Sequence, residues 1–206
     1  MIYETNLSLK PQGLIGISDE QIAQHWRLYE GYVANVNTLR HELDSFRRSE
    51  RGVALHADRR RRLGFEYNGM RLHEYYFANL KAGVAEPTGT TPLKKALTGE
   101  FGTFASFKAD FCSAGASRSV GWAILYFDPT TRAMNNHFVQ LHEDGNIAGF
   151  VPLLVMDVWE HAYMVDHEAT GREEYIKAFF NNVNWTAVEQ RLDEALAGRF
   201  PRSSAR

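Results

Sequence analysis

An almost wholly apolar run, Val151-Pro152-Leu153-Leu154-Val155-Met156, ends in Asp157, and the segment Asp157-Val158-Trp159-Glu160-His161-Ala162-Tyr163 follows at once. A run of this composition belongs in an interior, so it carries a carboxylate there with it. An ionised Asp in such a place is costly unless it is paired, hydrogen-bonded or bound to a metal. The imidazole of His161, four residues on, supplies a second ligand type, and the two together suit first-row ions such as iron, manganese or zinc. From this pair alone the choice stays open, because an Asp and a His four apart also recur on ordinary helices.

Whole-chain properties narrow the classes. With 206 residues, 44% hydrophobic and 23% charged, the chain has room for one or two compact domains with a real core. The net charge of -2 gives no pull toward nucleic acid or anionic membranes. No apolar stretch approaches the roughly 20 residues that cross a bilayer. One cysteine, Cys112, excludes an intrachain disulfide and any cysteine-based zinc cluster, and favours a reducing, cytoplasmic setting. Met1 to Thr5 lacks the basic and apolar stretches of a signal peptide, so none is expected.

The pattern changes near residues 82–92. Before it, Ser18-Asp19-Glu20 caps a helix running through His25, Leu28, Tyr32, Val33 and Val36, whose spacing makes one apolar or reactive stripe. A second helical pattern covers roughly Asp58 to Leu80, and the two suggest an antiparallel hairpin. Ala82 to Pro92 is rich in breakers and reads as a linker. After it come one or two helices within Leu93 to Ser113, strands at Val120–Phe127, Asn136–His142 and Phe150–Met156, and helices at Glu173–Phe180 and Trp185–Ala197. The expected fold is α+β: a helical hairpin domain, residues 1–85, then an α/β domain with a small three-stranded antiparallel sheet, residues 86–206. Pro201–Arg206 reads as a frayed tail.

A catalytic metal takes three or four protein ligands and keeps an open position. His25 lies on the stripe of the first helix, and His73 lies on the second, within Leu72-His73-Glu74-Tyr75-Tyr76-Phe77. With Asp157 and His161 they make four candidates. His73-Glu74-Tyr75-Tyr76-Phe77 begins like a zincin motif but ends in Phe, and the paired Glu-x-x-His of a di-iron bundle is missing.

Asp157-Val158-Trp159-Glu160-His161-Ala162-Tyr163 closely resembles the C-terminal signature of the iron/manganese superoxide dismutases. His25 with Tyr32 to Asn37, Leu72 to Phe77, Glu100 to Lys108, Gly121-Trp122-Ala123 and Val183-Asn184-Trp185 resemble further segments of that family, so the likeness covers about residues 18 to 195. It implies disproportionation of superoxide to dioxygen and hydrogen peroxide by one iron or manganese ion per subunit. His25, His73, Asp157 and His161 would hold the ion between the two domains, with solvent in a fifth position. Tyr32 would be the gateway, with Trp122 and Trp159 lining the site. Glu160 would reach across a two-fold interface to the partner's His161 position, which implies a homodimer at least, with a tetramer also open.

The sequence departs from the family pattern in places. One residue fewer separates His25 from Tyr32, and one residue turns a helix face by about 100°; either the helix is regularised here or His25 is not a ligand. Tyr29 and Met164 occupy the places of a His–Tyr bridge between subunits, and Phe77 that of a Trp. The side chain that bonds the metal-bound solvent comes from one of two places in the family. Gly69 cannot supply it, which leaves His142 or Gln140, with His142 preferred. Val155, where many manganese members have Gly, inclines the ion toward iron. Arg172 matches an arginine near the family's entrance, and an arginine-rich stretch, residues 40–71, reads as a solvated helical face. The competing function is a catalytically inactive, dismutase-like structural or interaction protein.

Overall fold

The computed structural model describes residues 2–49, 53–89 and 91–199; the Pro201–Arg206 segment lies outside the described residues. Two long helices come first, α1 (Asp19–Ser49) and α2 (Val53–Ala78), forming the expected hairpin. The Ser18 hydroxyl accepts from the Gln21 amide at 3.0 Å, which starts α1, and Asp19, Glu20, Arg47 and Arg48 complement its dipole at the two ends. The buried face of α1 carries Ile22, His25, Trp26, Tyr29, Val33, Val36, Leu39 and Leu43. Leu28 corrects the expected stripe: it is 39% exposed, because it sits about 90° from the centre of that face at about 100° per residue.

The segment after the hairpin holds two helices, α3 (Pro92–Phe101) and α4 (Phe104–Gly115). Thr91 caps α3, with Pro92 at the position where a missing N–H costs nothing, and Gly102 at φ +78 ends it. The antiparallel sheet has strand order β2-β1-β3, from β1 (Gly121–Phe127), β2 (Met134–Gln140) and β3 (Val151–Asp157). The central β1 is buried along its whole length. Its register sets Trp122 opposite Asp157 on one side and Val139 on the other.

Two strand ends differ from expectation. β2 stops at Gln140 because Leu141, at φ +54, turns the chain out of the sheet, so His142 lies in the following turn. β3 extends one residue further, making Asp157 its last residue. A 3₁₀ turn (Glu160–Ala162), the short α5 (Met164–His167), α6 (Arg172–Asn181) and α7 (Trp185–Leu196) complete the fold. The 3₁₀ turn and α5 are too short to show a period in sequence.

Buried polar contacts fix the hairpin against the sheet. The Asn79 side-chain carbonyl accepts from the Val155 amide of β3 at 3.0 Å and from Arg191 of α7 at 3.1 Å. One continuous apolar core spans both parts, from Ile22 and Tyr76 to Trp122, Val155 and Phe179.

Candidate metal centre

Four side chains from four elements meet in this core. His25 comes from the middle of α1, His73 from α2, Asp157 from the end of β3 and His161 from the 3₁₀ turn after it. One potential ligand atom from each lies within 4.8 Å of all the others. Asp157 Oδ2 is 3.0 Å from His25 Nε2, 3.1 Å from His161 Nε2 and 3.8 Å from His73 Nε2. His25, His73 and Asp157 are almost wholly inaccessible.

Three of the four residues are held by neighbours. Gln21, one turn before His25, is fully buried and clamps the last segment to α1: its amide donates to the His161 carbonyl at 2.7 Å and its carbonyl accepts from the Val165 amide at 3.0 Å. Asp157 Oδ1 accepts from the Trp159 amide at 2.8 Å, which leaves Oδ2 facing the imidazoles. The Tyr175 hydroxyl donates to the Asp157 carbonyl at 2.6 Å and holds the strand end. His73 Nδ1–H donates to the Gly69 carbonyl at 2.6 Å. That contact fixes the tautomer, so His73 Nε2 points into the cluster with a free lone pair.

The donor set fits a metal ion. Ligand atoms about 2.1 Å from one ion lie about 3.0 to 4.2 Å apart for angles between about 90° and 180°, and the three contacts to Asp157 Oδ2 fall in that span. His73 Nε2 is buried with no hydrogen-bond partner among the described residues, so its lone pair is one that a metal ion would satisfy. Burial lowers the pKa of His25 and lowers that of His73 further, so both present neutral imidazoles. Burial by itself would raise the Asp157 carboxyl, but the electrostatic interaction with His161 and hydrogen bonds from His161 and His25 outweigh it and hold the group well below the usual range.

Beside the cluster, Tyr32, His142 and Trp122 form a chain. Trp122 Nε1–H donates to His142 Nδ1 at 3.0 Å, and His142 Nε2 lies 2.6 Å from the Tyr32 hydroxyl. An indole only donates, so Nδ1 is the acceptor, the proton of the neutral ring sits on Nε2, and Tyr32 Oη accepts it. Burial, the largest influence, pushes His142 down to about 4 and keeps it neutral at pH 7. Burial likewise raises the Tyr32 phenol, with Asp157 and Glu66 adding to the rise, so it stays protonated. Trp159 stacks on both His142 and His161, with ring centroids 5.0 and 5.5 Å away.

Residues 88–191 match the family described as iron/manganese superoxide dismutases, C-terminal domain. The chain is 36% identical to the iron superoxide dismutase of Aquifex pyrophilus over 199 residues, 91% of this chain and 90% of the relative. It is 33% identical to the manganese/iron superoxide dismutase of Aeropyrum pernix, covering 86% of this chain and 83% of the relative. Against manganese superoxide dismutase 1 of Halobacterium salinarum the identity is 32%, over 89% of this chain and 90% of the relative. The chain belongs to the iron/manganese superoxide dismutases.

Within that family, its departures have structural accounts. α1 is regular α-helix from Asp19 to Ser49, and seven residues of regular helix turn through about 700°, which returns to within about 20° of the start. The shortened spacing therefore keeps His25 and Tyr32 on one face. Gly69 is required where it stands: a Cβ there would lie 2.6 Å from the Tyr32 ring. A side chain at residue 69 and this Tyr32 position exclude one another, while His142 reaches Tyr32 from the sheet side. Gln140 closes β2 with its side chain exposed, and among the described residues no hydrogen bond joins that side chain to the cluster. Tyr29 is buried and donates to Glu74 at 3.1 Å, and Met164 is 46% exposed. Arg172 gives Nη1 to the Ser117 carbonyl at 2.6 Å and Nε to Tyr163 at 3.3 Å. Sequence reading missed Gln21 and also Phe65, whose ring lies 4.6 Å from that of His142. Gln21 sits one turn before His25 and Phe65 two turns before His73, so helical spacing from the ligands was the available signal.

Proposed function

We propose that this chain is a superoxide dismutase, converting two superoxide ions to dioxygen and hydrogen peroxide with one iron or manganese ion per subunit. The observation that carries the proposal is the convergence of His25, His73, Asp157 and His161 on one buried point. Bound there, the ion supplies a one-electron acceptor and donor for successive superoxides. Everything else falls to the protein. The three imidazoles and the carboxylate set the ligand charge, and the aromatic wall of Trp122, Trp159, Tyr76 and Phe77 keeps bulk water from the donors. Tyr32, whose ring lies 5.1 Å from that of His73, is the proton donor in this reading. Because His142 Nε2–H occupies the Tyr32 oxygen, the phenolic proton is directed away from His142, toward an incoming anion. Gln140 takes no part in that relay in this reading; His142 does. With all four donors converging, the catalytically inactive alternative has no observation in its favour.

Iron is the first choice of ion, supported by Val155 and by the iron-named Aquifex pyrophilus relative. Superoxide dismutation by metal-free, iron-loaded and manganese-loaded protein tests both points. Activity with iron alone is the expected result, activity with both ions would make the enzyme cambialistic, and inactivity in every preparation would overturn the proposal.

A homodimer through the Glu160–His161 edge is part of the same reading. Exposed Glu160 adjoins His161, and the apolar side chains of Met164 and Val165 are 46% and 43% exposed beside it. Light scattering should give about twice the 23.5 kDa of one chain; a monomer would refute the dimer, and a mass near four chains would point to a tetramer. A cytoplasmic setting is supported by the single cysteine. Among the described residues no helix is long and apolar enough to cross a membrane. The division into residues 1–85 and 86–206 is supported by the left-handed turn at Gly83 between the hairpin and α3. Limited proteolysis should cut first near that point.

A further inference from the structure

One face of α2 connects the buried cluster to the surface. His73, Gly69, Phe65 with Glu66, and Arg62 follow one another at helical spacing, about 16 Å from end to end. Accessibility rises along that row: His73 is buried, Phe65 is half-buried and the Arg62 side chain is 46% exposed. Tyr32 lies over Gly69, and its ring is 6.4 Å from that of Phe65. Phe65 in turn packs on His142 at 4.6 Å. The Arg62 guanidinium sits over the Phe65 ring, 4.2 Å from its centre. It is therefore one aromatic ring away from the Tyr32–His142 pair.

Its position is fixed from below. Glu66 is only 2% exposed, and its Oε1 accepts from Arg62 Nε at 2.7 Å and lies 2.6 Å from Arg62 Nη2. Its other oxygen accepts from Asn35 of α1 at 3.1 Å. A buried carboxylate this near the path of an anion opposes its entry. Arg62, paired with it and the more exposed of the two, offsets that charge on the solvent side. The charges of both residues reach Tyr32, Arg62 lowering and Glu66 raising its pKa. Other arginines of the stretch are engaged farther along the hairpin: Arg59 with Glu42 and Arg47 with Asp44.

We propose that Arg62, anchored by the buried Glu66, is a steering residue that draws superoxide to Tyr32. This rests on the dismutase reading above. Three variants separate charge from scaffolding: Arg62→Gln, Glu66→Gln and the double variant, with Arg62→Lys as the charge-conserving control. At about 10 mM ionic strength, where fields reach about 30 Å, kcat/KM should fall roughly three- to tenfold in Arg62→Gln, rise in Glu66→Gln and return near the parent in the double variant, and the differences should shrink at about 0.5 M salt. Azide affinity of the iron-loaded protein, read by absorbance titration, should follow the same order. Arg62→Lys should stay within about twofold of the parent in both readouts. Equal kcat/KM and equal azide affinity across the charge series, or losses that ignore salt, would overturn the inference. If the parent protein fails to dismutate superoxide with either metal, the proposed function falls, and the azide series still decides whether Arg62 gathers anions.

Discussion

Trp122 sets the protonation pattern of the Tyr32–His142 pair without titrating itself. Its indole N–H obliges His142 Nδ1 to accept, which places the ring proton on Nε2 and makes Tyr32 Oη an acceptor. Replacing Trp122 by Phe frees the buried His142 from that constraint, and the other tautomer can then compete. We expect turnover to drop by about tenfold, a fraction of the about 10²–10⁴ that a positioned proton donor contributes. Stability should fall by about 1–3 kcal/mol for the unpaired buried acceptor. Stopped-flow kinetics and urea unfolding measure the two; unchanged turnover would show that the tautomer lock is irrelevant. At this scale the sequence was informative about residue type but not about partners. Four candidate ligands lie 25 to 161 residues into the chain on separate elements, and no periodicity joins them; only the likeness of their surroundings to a known family did. His142 and Gln140 could not be separated because the choice depends on where β2 ends, and that is set by one residue, Leu141, in a left-handed conformation.

Between elements, the decisive contact is the approach of α1 to α2 at Gly69. No side chain fits there, and the Tyr32 ring takes the space. Gly69→Ala is expected to gain up to about 1 kcal/mol of helix propensity but to lose about 1–3 kcal/mol through overpacking, and to push Tyr32 off His142. Net destabilisation in urea unfolding with a several-fold loss of turnover would bear this out. A more stable variant with full activity would show that Tyr32 tolerates displacement. The long helices and all three strands were legible because they are long enough to show a period or a bounded apolar run. Leu28 was misplaced because its spacing to His25 is helical while the true face runs through Trp26 and Tyr29. The 3₁₀ turn carrying His161 left no trace, since three residues hold no period, and its position comes from the buried Gln21 clamp 140 residues away in sequence.

For the whole molecule, the cluster joins the helical hairpin to the sheet. Two donors come from α1 and α2, and two come from the end of β3 and the turn after it. An ion held there links the two parts, so its removal acts on global stability. At free metal about 1,000-fold above Kd, binding adds about 4 kcal/mol, which corresponds to roughly 10 °C in Tm for a chain of this size. Chelation followed by calorimetry should show that drop, and reloading should reverse it. An identical Tm with and without metal would mean that the two parts are held by the apolar core alone.

One redox-active ion is expected among His25, His73, Asp157 and His161. Anomalous diffraction at the iron and manganese absorption edges, on crystals of the metal-loaded protein, tests it most directly. One anomalous peak per chain is expected, about 2.1 Å from each of the four donor atoms. No peak there, or a peak held by other residues, would contradict it.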